Sequence, residues 1–147
     1  DRPSATPVPA GNGGPPGPGE QIGLPQAIGV VIENDAGLRS ALTVMLETWG
    51  LDVFPCAGED EAMALLQEVD IAPDLVIADY QLDDGRLGTD AIMHLRQQYG
   101  PLPACLITAN RDPDVVALSQ ILSTDLLHKP INPTALRLLL QRRLPPP

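Results

Sequence analysis

Five short apolar runs, each followed by a stretch of helical spacing, constrain this chain more than any other feature. The runs are Ile28 to Ile32, Leu51 to Phe54, Leu75 to Ala78, Pro103 to Ile107 and Asp125 to His128, with centres about 22 to 29 residues apart. An uninterrupted apolar run without polar alternation reads as a strand buried on both faces. Strands that alternate with helices predict a parallel sheet with right-handed crossovers and helices on both sides. The intervening segments support this. Leu38, Leu42, Met45 and Trp49 share one helical face that Gly50 closes, and Glu59 to Val69 turns Ala62, Leu65, Leu66 and Val69 inward. Thr89 to Tyr99, Asp112 to Leu122 and Pro133 to about Arg143 complete five helices.

Before this alternation, residues 1 to 26 are rich in Pro and Gly and carry no periodic apolar face, so they read as a disordered linker. A polyproline ligand built on Pro15 and Pro18 is disfavoured because no basic residue flanks it. Residues 27–144 form the folded unit, and Pro145, Pro146 and Pro147 a short tail. With no Met at its start, the chain reads as a piece of a longer protein. Its net charge of −10, with only 9 Lys and Arg, argues against nucleic acid as a ligand. No apolar run approaches the length of a membrane span, and no signal pattern opens the chain, so a cytoplasmic domain is expected. Cys56 and Cys105 lack metal-like spacing and read as reduced core residues.

In a parallel sheet the ends of the first, third, fourth and fifth strands open on one edge, where such folds place ligands. That edge would gather Glu33, Asn34, Asp79, Thr108 and Lys129. Asp79 alone would be an ordinary strand-end residue. In company, it belongs to a charged cleft. Two carboxylates there repel unless a cation lies between them, and oxygens from Glu33, Asn34 and Asp79 suit Mg²⁺, with the backbone carbonyl of Gln81 as a further ligand. With Lys129 beside it, Asp79 can attack a phosphoryl group, and Thr108 can donate a hydrogen bond to a phosphoryl oxygen. His94, in His94-Leu95-Arg96, lacks the Pro and acidic neighbours of a phosphate-accepting histidine box and reads as a solvated helical residue. A flavodoxin-type nucleotide or flavin binder is set aside, since no Gly-rich phosphate loop or aromatic stacking pair is present.

On Glu33-Asn34-Asp35, Pro73 to Asp79, Thr108-Ala109 and Lys129-Pro130, in that order, the chain resembles the receiver domains of two-component response regulators over about residues 27 to 144. The resemblance implies a flavodoxin-like (βα)5 fold with strand order 2-1-3-4-5 and a cis bond between Lys129 and Pro130. It also implies that Asp79 accepts phosphate from the phosphohistidine of a kinase or phosphotransfer domain. Three departures stand out. The usual acidic pair is Glu33-Asn34, the usual aromatic on the fifth strand is Leu126, and the loop after Asp79 is one residue longer, with Asp84-Gly85 and Gly88. The Glu33-Asn34 pair, the Ala78-Asp79-Tyr80 ending and the longer loop look most like the C-terminal receiver of a hybrid histidine kinase. A docking module that is not phosphorylated is the alternative, and a homodimer stays open. Val115, Val116 and Leu118 are candidates for a partner surface, with core packing the competing account.

Overall fold

The computed structural model describes residues 26–144, so the linker expected over residues 1–26, apart from Gln26, and the tail at 145–147 lie outside the described residues. The elements are β1 (Ile28–Ile32), α1 (Ala36–Thr48), β2 (Asp52–Cys56), α2 (Glu59–Val69), β3 (Leu75–Asp79), α3 (Gly88–Tyr99), β4 (Ala104–Thr108), α4 (Pro113–Ile121), β5 (Asp125–His128) and α5 (Pro133–Arg143), with a 3-10 turn at Asp83–Gly85. All strand pairs are parallel, and the sheet runs β2-β1-β3-β4-β5, the expected order.

Period-two alternation sorts the central strands into two layers. Val31, Ile77, Cys105 and Ile107 pack with Leu42 and Leu46 of α1 and Leu136, Leu139 and Leu140 of α5. Val30, Ile32, Val76, Ala78 and Leu106 face the other way, against Ala62 and Leu66 of α2 and Ala91, Ile92 and Leu95 of α3. Residues facing both layers are buried, which is why these strands read as continuous apolar runs.

Three expectations need correction. The second strand extends past Phe54 through Pro55 to Cys56. It is an edge strand whose even-numbered residues bond β1, through Asp52 N to Ala27 O and Glu33 N to Cys56 O. Pro55 therefore lacks an N–H only where it would face outward, which an edge tolerates. Val69, expected inward, is 40% exposed: α2 ends there, Asp70 adopts a left-handed conformation, and the chain turns back. On α4, Val115 is core at 4% exposure and Val116 and Leu118 are half-buried, whereas Ile121 is 77% exposed. Val115 thus belongs to the core and not to a partner surface.

Cys56 and Cys105 are free, buried, and in opposite layers, which rules out their pairing. Burial, with a smaller push from neighbouring carboxylates, raises their thiols to about 11 and about 12. As pH rises from 9.0 towards those values the unfolded chain loses thiol protons first, so both groups weaken the fold over that window. At pH 8 the folded protein is expected to resist iodoacetamide and the denatured protein to take two labels. Rapid labelling of the folded protein would contradict this packing.

Candidate functional site at the carboxyl edge of the sheet

Asp79 is the last residue of β3, paired across the ladder with Ile107 of β4, and is 6% exposed. The chain leaves the strand in a fixed direction because Tyr80 N bonds Ile107 O and Gly88 N returns to Tyr80 O. Gly88, at the start of α3, is needed for that return. A Cβ there would lie 2.1 Å from the Asp79 carbonyl oxygen.

Both oxygens of the Asp79 carboxylate are engaged. Oδ1 accepts from the Gln81 amide at 3.2 Å, and Oδ2 accepts from Lys129 Nζ at 2.9 Å. Lys129 follows β5 and is placed by its amide bonding Thr108 O and by a cis peptide bond to Pro130. Its ammonium also lies 3.3 Å from Glu33 Oε1. Burial works against that charge, but Asp79 and Glu33 outweigh it and hold the Lys129 pKa above its ordinary 10.5. The stability this contributes is present below pH 10.5 and is lost as pH rises through the elevated value.

Glu33 is fully buried at the end of β1. Oε2 accepts from the Asp35 amide at 2.9 Å, and Arg39 donates to the Glu33 carbonyl at 2.8 Å. Oε1 is buried without a hydrogen bond, since its approach to Lys129 lacks bonding geometry. Burial pushes the Glu33 carboxyl above its usual 4.5; the Asp35 amide opposes this and the Asp79 carboxylate adds to it. The side chain of Asp35, beside this pair, serves the helix instead and N-caps α1 by accepting from Leu38 N.

Two close carboxylates and an orphaned, buried Glu33 oxygen are a donor set that a hard divalent cation would satisfy, so these residues fit Mg²⁺. The Gln81 carbonyl is compatible with this. The bridge between Gln81 and Leu87 is made by Leu82 N to Arg86 O and Gly88 N to Tyr80 O, leaving the Gln81 carbonyl out of the pairing. Among the described residues no three His, Cys, Asp or Glu side chains are grouped for a metal. Asn34, the amide expected beside these carboxylates, donates from Nδ2 to Asp83 Oδ1 at 2.9 Å.

Thr108 is 1% exposed at the end of β4, one residue beyond the partner of Asp79. Its hydroxyl oxygen accepts from Asn110 N at 3.0 Å, so the hydroxyl proton is left for another acceptor. Leu126 is half-buried against the layer of α2 and α3.

Glu33, Asp79 and Lys129 thus lie together at the expected edge, steadied by residues that carry little signal in the sequence. Asp83 carries no signal beyond its place in the loop beside Asp84-Gly85. Arg39 lies in a helix with nothing to tie it to the strand end. His94, expected to be merely solvated, is half-exposed yet bonds the buried Glu59 at 2.6 Å, and Arg86 reaches Glu59 at 3.3 Å and Asp60 at 3.2 Å. The Arg86 bonds tie the loop after Asp79 to α2, and the His94 bond ties α3 to it.

Residues 30–141 match the response regulator receiver domain family. The DNA-binding response regulator MtrA of Mycobacterium tuberculosis (strain ATCC 25618 / H37Rv) is 32% identical over 116 residues, covering 78% of this chain and 49% of that protein. MtrA of Mycolicibacterium paratuberculosis gives the same identity, with 50% of its length covered. The chain therefore spans about half the length of these relatives. Among solved structures, the chemotaxis protein CheY4 of Vibrio cholerae superimposes with a TM-score of 0.73 at 25% identity, over 82% of this chain and 100% of that one. The signal receiver domain of a signal transduction histidine kinase from Syntrophus aciditrophicus gives 0.69 at 23% identity, over 80% and 89%, a likeness of fold.

Proposed function

The chain belongs to the response regulator receiver domains of two-component signalling, and from that premise we propose that Asp79 accepts a phosphoryl group from a phosphohistidine. The observation that carries the reading is the Lys129 ammonium, 2.9 Å from Asp79 and 3.3 Å from Glu33 in one largely buried pocket. An Asp79 carboxylate oxygen attacks phosphorus, the O–P bond forms, the N–P bond of the phosphohistidine breaks, and the imidazole leaves and takes up a proton. Glu33, Asp79, the Gln81 carbonyl and Asn34 would hold Mg²⁺, which when bound would supply positive charge to offset that on the equatorial oxygens. Lys129 moves from Asp79 Oδ2 to a phosphoryl oxygen, and the Thr108 hydroxyl donates to another. Burial of Asp79 limits water at the carboxylate and slows hydrolysis of the product.

The donor is a histidine kinase or a phosphotransfer domain, and the Glu33-Asn34 pair with the long loop favours a place within a hybrid histidine kinase, joined through the Pro/Gly-rich segment at 1–26. The acyl phosphate shifts the surface of α4, β5 and α5, where Ile121 and Leu138 are 77% and 52% exposed. The DNA binding named for the MtrA relatives is not extended to this chain, whose charge of −10 disfavours phosphate backbones. No helix among the described residues is long and apolar enough to cross a membrane.

One observation favours a second reading, a docking module that works without phosphate: Leu126 replaces the aromatic ring that would couple Thr108 to the α4 surface. Intact mass after incubation with Mg²⁺ and a small phosphodonor separates the two. The wild type is expected to gain one phosphoryl group and Asp79→Asn none. A wild type that stays unmodified with Mg²⁺ bound supports docking.

A further inference from the structure

The geometry points to Asp83 as a positioning residue for the metal site, fixing Asn34 so that it presents oxygen; this rests on the Mg²⁺ reading above. A side-chain amide has a donor end and an acceptor end, and only the acceptor can ligate a cation. Left to rotate, Asn34 would offer its NH2 group as readily as its oxygen. Asp83 removes that freedom. Its carboxylate accepts hydrogen bonds and, when ionised, donates none, and it takes Asn34 Nδ2 at 2.9 Å, which leaves Oδ1 as the end of the amide not used in this bond.

Asp83 can do this because its own backbone is held. The turn Asp83–Gly85 closes with Arg86 N bonding Asp83 O, and Asp84 and Gly85 take left-handed conformations at φ 60° and 71°. Leu82 N bonds Arg86 O, and the Arg86 side chain is pinned to Glu59 and Asp60 on α2. Two departures from the usual family pattern therefore belong together. The neutral amide at position 34 needs an orienting partner, and the altered loop supplies an acidic one. The arrangement is an outer carboxylate steadying an inner ligand, as second-sphere partners of metal ligands do.

The test is a double-mutant cycle read by calorimetric titration with MgCl₂, using the chain of residues 1–147 without any phosphodonor. In the wild-type background Asp83→Ala is expected to weaken Mg²⁺ binding by about tenfold or more. In an Asn34→Asp background, where a carboxylate presents oxygen in either orientation, the same change is expected to cost less than about threefold. Equal losses in both backgrounds would mean that Asp83 acts only as a nearby charge and would overturn the inference, as would no loss in either. A wild type that binds no Mg²⁺ overturns the metal reading itself and this inference with it. Thermal unfolding of each variant is expected to match the wild type, since Asp83 is exposed, so that a change in Mg²⁺ binding is not a loss of fold.

Discussion

Gly88→Ala is expected to destabilise the protein by about 3 kcal/mol or more, at the upper end of what overpacking costs. The added Cβ would meet the Asp79 carbonyl oxygen at 2.1 Å and its carbon at 2.9 Å, and both are backbone atoms. A flexible side chain could swing aside. The end of β3 cannot, because Tyr80 N is bonded to Ile107 O and Asp79 sits in the central pairing of the sheet. The strain falls on the residue that carries the chemistry, so any folded Gly88→Ala protein should also bind Mg²⁺ weakly. Urea unfolding followed by MgCl₂ titration measures both effects. Unchanged stability would show that α3 starts too far from the strand for the two backbones to meet.

Lys129→Ala is expected to be nearly as costly in the absence of metal. It leaves Glu33 and Asp79, both largely buried, without their cation, and breaking a buried pair by removing one partner costs about 3 kcal/mol. In a domain of this size that lowers Tm by roughly 10 °C. Part of the loss is relieved because Glu33, already biased towards its protonated form by burial and by Asp79, can take up a proton. The variant should therefore be most stable, relative to wild type, at acidic pH and lose ground as pH rises through the elevated Glu33 value. Mg²⁺ should restore much of the stability but not the chemistry. Loss of one charge-stabilising donor slows phosphoryl transfer by about a hundredfold. Thermal melts with and without MgCl₂ at several pH values check the first part, and the rate of mass gain checks the second. A variant as stable as wild type without metal would contradict the pocket's electrostatics.

The strand runs and helix faces are legible in the sequence because burial on two sides writes itself as consecutive apolar residues, and Val30, Val31 and Ile32 show it with no exposure at all. The edge that carries the site is legible for the related reason that parallel strands must all end there, which places Glu33, Asp79 and Lys129 together before any contact is known. What escapes is whatever depends on side-chain direction or on termini. Val69 keeps the helical period of its neighbours, yet α2 ends before its face is covered. His94 reads as any exposed histidine until Glu59 is found within 2.6 Å. Asp83 is one more acid in the loop beside Asp84-Gly85, and its bond to Asn34 spans 49 positions of sequence. Gly88 reads as a loop glycine, while its reason is the closeness of the Asp79 backbone.

The central claim is that an oxygen of Asp79 becomes the site of an acyl phosphate because Lys129 and a divalent cation share its pocket. An acyl phosphate can be reduced by borohydride to an alcohol that survives digestion, so peptide mapping after Mg²⁺ and a small phosphodonor locates it. The account predicts homoserine at position 79, absent when Mg²⁺ is withheld. Reduction at another carboxylate, Glu33 included, or modification that is indifferent to Mg²⁺, would contradict it.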